Sequence, residues 1–139
     1  MSTSPAEFNA RIIDEFHANK GVVGGMFEGM PLLLLHHTGA KSGTERVNPL
    51  AYQRLGDDSV AVFASKGGYP TNPDWFHNVV ANPDVKVEIG TESYAGKARV
   101  ATGDERERIW SAQKKALPQF AEYEAKVTRE IPVVVIDTD

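Results

Sequence analysis

Three segments with strand character, Pro31 to Thr38, Arg46 to Leu55 and Ser59 to Ser65, follow one another across links too short to carry a crossover. Parallel neighbours need a connection of a dozen or more residues, usually helical, whereas antiparallel partners need only a turn. The links, TGAKSGTE and Gly56-Asp57-Asp58, consist of turn-forming residues. Pairing here is therefore antiparallel, and a parallel α/β sheet, with helices alternating between strands, fits poorly. Leu32 to Leu35 is apolar at every position, as a strand covered on both faces requires, so this strand is expected to be central.

Further along, Val85, Val87 and Ile89 alternate with Lys86 and Glu88, and after Gly90-Thr91 a partner strand runs from Ser93 to Ala101. The run VVVI after Ile131-Pro132 reads as a last buried strand. Helices are expected around this set. Ser4-Pro5-Ala6-Glu7 offers a cap, a first-turn proline and a carboxylate, and Phe8, Ile12 and Phe16 form an apolar stripe. That stripe reads first as core; resting on a membrane surface or covering a cofactor site are the other readings. Asn19-Lys20-Gly21 ends the helix, and Gly21 to Gly29 reads as an irregular connection. Asn72-Pro73 launches a short helix to Ala81, Thr102 with Glu105 forms a capping-box pattern for a helix to Leu117, and Pro118 restarts a turn or helix to Val127. The expectation is an α+β fold: a six-stranded antiparallel barrel, closed or half-closed, with three or four peripheral helices. The 139 residues suit one domain, with 1–24 as an amino-terminal helix and linker.

Composition removes several functions. Net charge is −4, so the basic footprint of a nucleic-acid binder is missing. There is no cysteine, so disulfides, thiolate metal sites and thiol nucleophiles are excluded. No apolar run approaches the ~18 residues of a membrane span, and the first residues lack the pattern of a secretory leader, so a cytoplasmic protein is expected.

Two segments suit an anion. In Thr38-Gly39-Ala40-Lys41-Ser42-Gly43-Thr44-Glu45-Arg46, small residues that let backbone N–H groups approach a phosphate are interleaved with hydroxyls and two cations. In Ser65-Lys66-Gly67-Gly68, a strand end and two glycines precede a helix whose first turn carries Trp75 and Phe76. Each alone is also compatible with a solvated turn, and Trp75 alone reads first as core. Together they point to a phosphorylated, ring-bearing ligand lying across the barrel. The four histidines do not suggest a metal: His36 and His37 are adjacent in a strand and face opposite ways, His17 suits a helix end, and His77 reads as a packing residue. GxSxG, GxGxxG and GxxxxGK[ST] are absent.

The order LLLLHHTGAKSGTERVNPL, VFASKGGYPTNPDWFHNVVANPDVKVEIG and PQFAEYEAKVTREIPVVVI resembles the deazaflavin-dependent nitroreductase family of actinobacteria, over roughly Gly25 to Ile136. The resemblance implies a split β-barrel of the flavin-reductase type that uses coenzyme F(420). It implies that the cofactor's phosphate and acidic tail lie near Lys41, Ser42, Thr44 and Arg46. Its ring system and ribityl chain would lie near Asn48, Pro49, Leu50, Ala51, Ser65, Lys66, Gly67, Gly68, Trp75 and Asn78. In that family, hydride passes from the reduced deazaflavin to a quinone, an activated alkene or a nitroaromatic, and Tyr123 is the first candidate for a proton donor, with Ser65 as its polar neighbour. Members strong in nitroreduction often carry a second tyrosine where this chain has Phe120, which puts nitro drugs in doubt as substrates. The expected partner is a small hydrophobic acceptor. FMN, used by relatives of the same fold, is the alternative cofactor, and a non-catalytic module binding the cofactor or a lipid-like ligand is the alternative class. Barrels of this kind often pair, so a homodimer is expected, with peripheral membrane contact through the first helix as a further expectation.

Overall fold

The computed structural model describes residues 5–24, 30–65 and 70–138. In chain order these form α1 (Pro5–Ala18), β1 (Leu32–Thr38), β2 (Glu45–Arg54), β3 (Ser59–Phe63), α2 (Asp74–Ala81), β4 (Asp84–Ile89), β5 (Glu92–Val100), α3 (Gly103–Ala116), α4 (Gln119–Ala125) and β6 (Val133–Thr138). Every strand pairing is antiparallel, and the sheet closes in the order β1-β2-β3-β6-β5-β4, with Leu35 of β1 opposite Val87 of β4. The expectation of a central strand needs correction, because a closed barrel has no edge to be central to. The apolar run is buried on both faces for another reason. Leu33 and Leu35 point inward with Val60, Val62, Val87, Val134 and Ile136, while Leu32 and Leu34 point outward beneath Ile12 and Phe16 of α1. β6 is built likewise: Val134 and Ile136 face the interior, and Val133 and Val135 lie under Ile109, Trp110 and Phe120 of α3 and α4.

α2 seals one end of the barrel, since Trp75 and Val79 belong to the interior cluster. The exit of α1 is fixed by a backbone contact. Gly21 has φ +94°, and a Cβ there would come within 2.7 Å of the Gly90 Cα in the β4–β5 turn, so only glycine fits. Further along α1, Ile12 and Phe16 are spent on the barrel, so the stripe is core, as the first reading had it.

Three expectations about local structure are corrected. Asn72 does not cap α2: the first helical residue is Asp74, and the Asn72 side chain accepts from Arg129 instead. The Thr102–Glu105 capping box does not form, because both Glu105 carboxylate oxygens are taken by Arg99 at 2.7 and 3.0 Å. Finally, β3 ends at Phe63 rather than Ser65, since the Ala64 and Ser65 carbonyls accept from Arg129 and leave the strand ladder. The Ser4 cap and the glycine-rich stretch from Gly25 to Gly29 lie outside the described residues.

Phe16 has no solvent exposure and anchors α1 on β1. Phe16→Ala is expected to destabilise the fold by about 3–5 kcal/mol, seen as a lower midpoint in urea unfolding.

Candidate active site

The barrel opens where two neighbouring strands part company. β2 pairs with β1 from Glu45 to Ala51, but with β3 only from Tyr52 to Arg54. Pro49, which has no N–H to donate, sits in the stretch where only β1 pairs, a tolerated place for proline in a strand. The gap beyond Tyr52 becomes a cavity of about 830 Å³, within the range of cofactor sites. One wall is Arg46 to Ala51 of β2. The floor includes His37, Phe63 and Ser65, the start of α2 adds Pro73, Asp74 and Trp75, and α4 adds Gln119, Phe120 and Tyr123. Asn9, Ala10 and Ile13 of α1 complete the lining, so the first helix covers the site.

The hairpin between β1 and β2 is folded tightly at the cationic end. Gly39 N–H donates to the Thr44 carbonyl at 2.8 Å, Gly43 N–H to the Gly39 carbonyl at 3.0 Å, and Thr44 N–H to Ser42 Oγ at 3.2 Å. A Cβ on Gly39 would lie 2.4 Å from Ser42 Oγ and 3.7 Å from Arg46 Nε, so glycine lets the serine and arginine side chains fold over the turn. Lys41, Ser42 and Thr44 are exposed and do not line the cavity; Arg46 does, and is the cation that joins tip to cavity. The tip is tied to α2 by Ala40 N–H, which donates to Asn78 Oδ1 at 2.8 Å. Asn78 is buried behind the wall and makes this bond instead of lining the cavity.

The second anion segment is held from the far end of the chain. Arg129 donates from Nη1 to the Ala64 carbonyl at 3.2 Å and to Asn72 Oδ1 at 2.6 Å, and from Nη2 to the Ser65 carbonyl at 3.1 Å. One planar guanidinium thus grips both sides of the segment that contains Lys66, Gly67 and Gly68, three expected site residues that lie outside the described residues. Sequence reading missed Arg129; its only signal is a lone cation in the Thr128-Arg129-Glu130 stretch before the last strand.

Tyr123 lies on a helix of seven residues, too short to stand alone. Phe120 docks it, with ring centroids 5.6 Å from Phe63, 6.2 Å from Trp110 and 5.2 Å from Tyr123. Glu124 reinforces the dock by accepting from Trp110 Nε1 at 2.5 Å and Lys114 Nζ at 3.0 Å. Tyr123 is half-buried and lines the cavity, with Ser65 on the same lining.

His37 is the second residue that sequence reading missed. It is buried, bonded to Asn48 and Asn78, and part of the cavity lining. Burial, with Arg46 and His36 adding to it, outweighs the Asn48 bond and lowers its pKa from the ordinary imidazole value. His36 takes the opposite face, as strand alternation demands, and contacts Glu88 at 2.5 Å and Glu45 at 3.2 Å. His17 contacts the other Glu88 oxygen at 2.9 Å and so tethers α1 to β4. Burial alone would raise the Glu88 carboxyl, but its two histidine bonds outweigh that and hold it below the usual carboxylate range. His77 is exposed rather than packed inside, its ring in edge contact with Phe76.

The geometry therefore gives a basic, hydroxyl-rich rim leading into an apolar and aromatic slot, the polarity of an elongated carrier with an anionic tail and a planar ring. Comparison with known proteins gives the same class. Residues 9–138 match the model of the F(420)H(2)-dependent quinone reductase family. An F(420)H(2)-dependent quinone reductase of Mycobacterium tuberculosis strain H37Rv is 35% identical over 125 residues, covering 87% of this chain and 83% of its own. Among solved structures, an F(420)H(2)-dependent reductase, FDR-A, is 42% identical with a TM-score of 0.70, over 77% of this chain and 94% of that one. Another, described as a domain-swapped dimer, is 38% identical with a TM-score of 0.71, over 96% and 100%. The chain belongs to the F(420)H(2)-dependent quinone reductase family. It is an oxidoreductase whose cofactor is coenzyme F(420), and the FMN alternative finds no support in these comparisons.

Since Arg129 ties Ala64 and Ser65 to Asn72, Arg129→Ala should weaken F(420) binding about tenfold in a fluorescence titration, and Arg129→Lys should not restore it, because an ammonium cannot span three fixed acceptors.

Proposed function

We propose that the cavity between β2, α2 and α4 holds coenzyme F(420), with its phosphate and acidic tail at Arg46, Lys41, Ser42 and Thr44. Its ring and ribityl chain run along Asn48, Pro49, Leu50 and Ala51 toward Ser65 and Trp75, with Asn78 bracing the wall. Lys66, Gly67 and Gly68 complete this set on sequence grounds. The observation that carries the reading is that two anion-suited segments, distant in sequence, meet around one cavity, through Arg46 and Ser65 on its lining and the Ala40–Asn78 bond behind it.

When bound, the reduced deazaflavin supplies the hydride that reduces the acceptor. The protein's part is position, dryness and a proton. Leu50, Ala51, Phe63 and Phe120 give the cavity an apolar wall, and α1 covers it, which keeps water from the reacting atoms. Tyr123 Oη donates to the quinone oxygen that gains negative charge, and Ser65 is its polar neighbour across the cavity. Phe120, buried between Phe63 and Trp110, offers no second hydroxyl, so the site favours quinones over bicyclic nitroaromatics.

α1 serves the cavity rather than a membrane, because its apolar stripe is already spent on β1. No helix among the described residues is long and apolar enough to cross a membrane. A cytoplasmic setting belongs to the same proposal, and the domain-swapped dimer known for the 38% identical structure supports a homodimer.

With a soluble quinone as acceptor, Tyr123→Phe should lower kcat/KM about a hundredfold while leaving the F(420) dissociation constant unchanged. Lys41→Ala combined with Arg46→Ala should do the reverse, weakening F(420) binding about a hundredfold by fluorescence titration. Unchanged affinity in that double variant would place the anionic tail elsewhere.

A further inference from the structure

A line of hydrogen bonds runs behind the cavity from the hairpin tip to β2, and its direction is set by a group that cannot be reversed. The backbone N–H of Ala40 only donates, so the Asn78 atom 2.8 Å from it is the carbonyl oxygen Oδ1. That places the Asn78 Nδ2 amine 3.1 Å from His37 Nδ1, and because an amine also only donates, Nδ1 must accept and carries no proton. A neutral imidazole with a bare Nδ1 holds its proton on Nε2, which lies 2.7 Å from Asn48 Oδ1. Polarity is transmitted through three side chains. The Asn48 oxygen is turned to His37, and its amine is turned away. Asn48 lines the cavity, and among the described residues its Nδ2 has no hydrogen-bond partner.

We propose that His37, as the neutral Nε2–H tautomer, is a positioning residue that orients the Asn48 amide so that its amine is offered to an acceptor atom of the cofactor. Through Asn78 it also couples seating of the hairpin tip to the β2 wall of the cavity at Asn48. The inference rests on the reading of this cavity as the F(420) site and names the recognition chemistry there: a hydrogen-bond acceptor facing β2. His37 is 2% exposed and Asn78 7%, so water does not compete for these bonds, and a partner left unpaired would be costly. An aliphatic residue at 37 would fill the space but carry no direction.

The groups acting on the imidazole favour the neutral form. Burial is the main cause, Arg46 of β2 and His36 of β1 add to it, and α2 contributes only the uncharged Asn78 amide. Protonation would place an N–H on Nδ1 against the Asn78 amine. Since the folded-state pKa is depressed, the chain of bonds is intact above the ordinary imidazole range and is lost as pH falls through the lower folded value.

Two measurements test the inference. Nitrogen-15 NMR of the cofactor-free protein at neutral pH should show His37 with a bare Nδ1 and a protonated Nε2; an imidazolium or an Nδ1–H tautomer overturns the proposal. Fluorescence titration with F(420) then compares the native protein with His37→Gln, whose amide both donates and accepts, and His37→Phe, which does neither. The glutamine variant should bind within about threefold of the native protein, and the phenylalanine variant about tenfold more weakly. Lowering the pH below the ordinary imidazole range until His37 takes up a proton should weaken native binding relative to the glutamine variant, which has no imidazole to protonate. Equal binding by the native and phenylalanine proteins overturns the positioning role. Should the native protein fail to bind F(420), the functional reading falls, while the imidazole spectrum of the free protein still decides the direction of the bonds.

Discussion

The parting of β2 and β3 beyond Tyr52 is the constraint from which the site follows. A barrel that stayed hydrogen-bonded along this seam would close over its own interior and leave no room for a ligand. Pro49 sits where only β1 can pair with β2, and Arg129 draws the Ala64 and Ser65 carbonyls out of the ladder on the other side. The seam thus opens at a proline and is held open by a guanidinium. Three helices then roof the gap, each docked by a different cluster: α1 through Phe16, α2 through Trp75 and α4 through Phe120. A closed barrel with helices packed over the gap suits an oxidoreductase, since the donor must be held in fixed relation to its acceptor.

Polar groups behind the cavity are arranged as sparingly as the apolar ones. His37, Asn48 and Asn78 satisfy one another and the Ala40 backbone, so burial leaves none of the bonds joining them unmade. On the outer surface, His36 and His17 share Glu88, a separate cluster that ties α1 to β4. Adjacent residues in one strand therefore serve opposite tasks: His36 secures the cover from outside, and His37 faces the cavity from within.

Much of this was legible in the chain. Short links dictated antiparallel pairing, alternation assigned the faces of β4, and of the two segments singled out for an anion one contributes Arg46 and the other Ser65 to the cavity lining. The misreadings share a cause. Asn72 and Glu105 carry the chemistry of helix caps, but each is captured by an arginine from another element, a competitor that local pattern cannot reveal. His37 was weighed only as a metal ligand and Arg129 was given no role, because what each does depends on partners up to 65 positions away in sequence.

By itself, then, the sequence determined the strand set, the antiparallel hairpin pairing of β1 with β2, β2 with β3 and β4 with β5, the lack of cysteine chemistry and the composition of two segments suited to an anion, because these depend on neighbours within a few residues. Tertiary structure alone decided that the barrel closes, that β1 is buried by a helix rather than by centrality, that His37 lines the cavity, and that Arg129 braces Ala64, Ser65 and Asn72 beside it. Those outcomes depend on which distant groups meet in space, and hydrogen bonds and burial are settled only there.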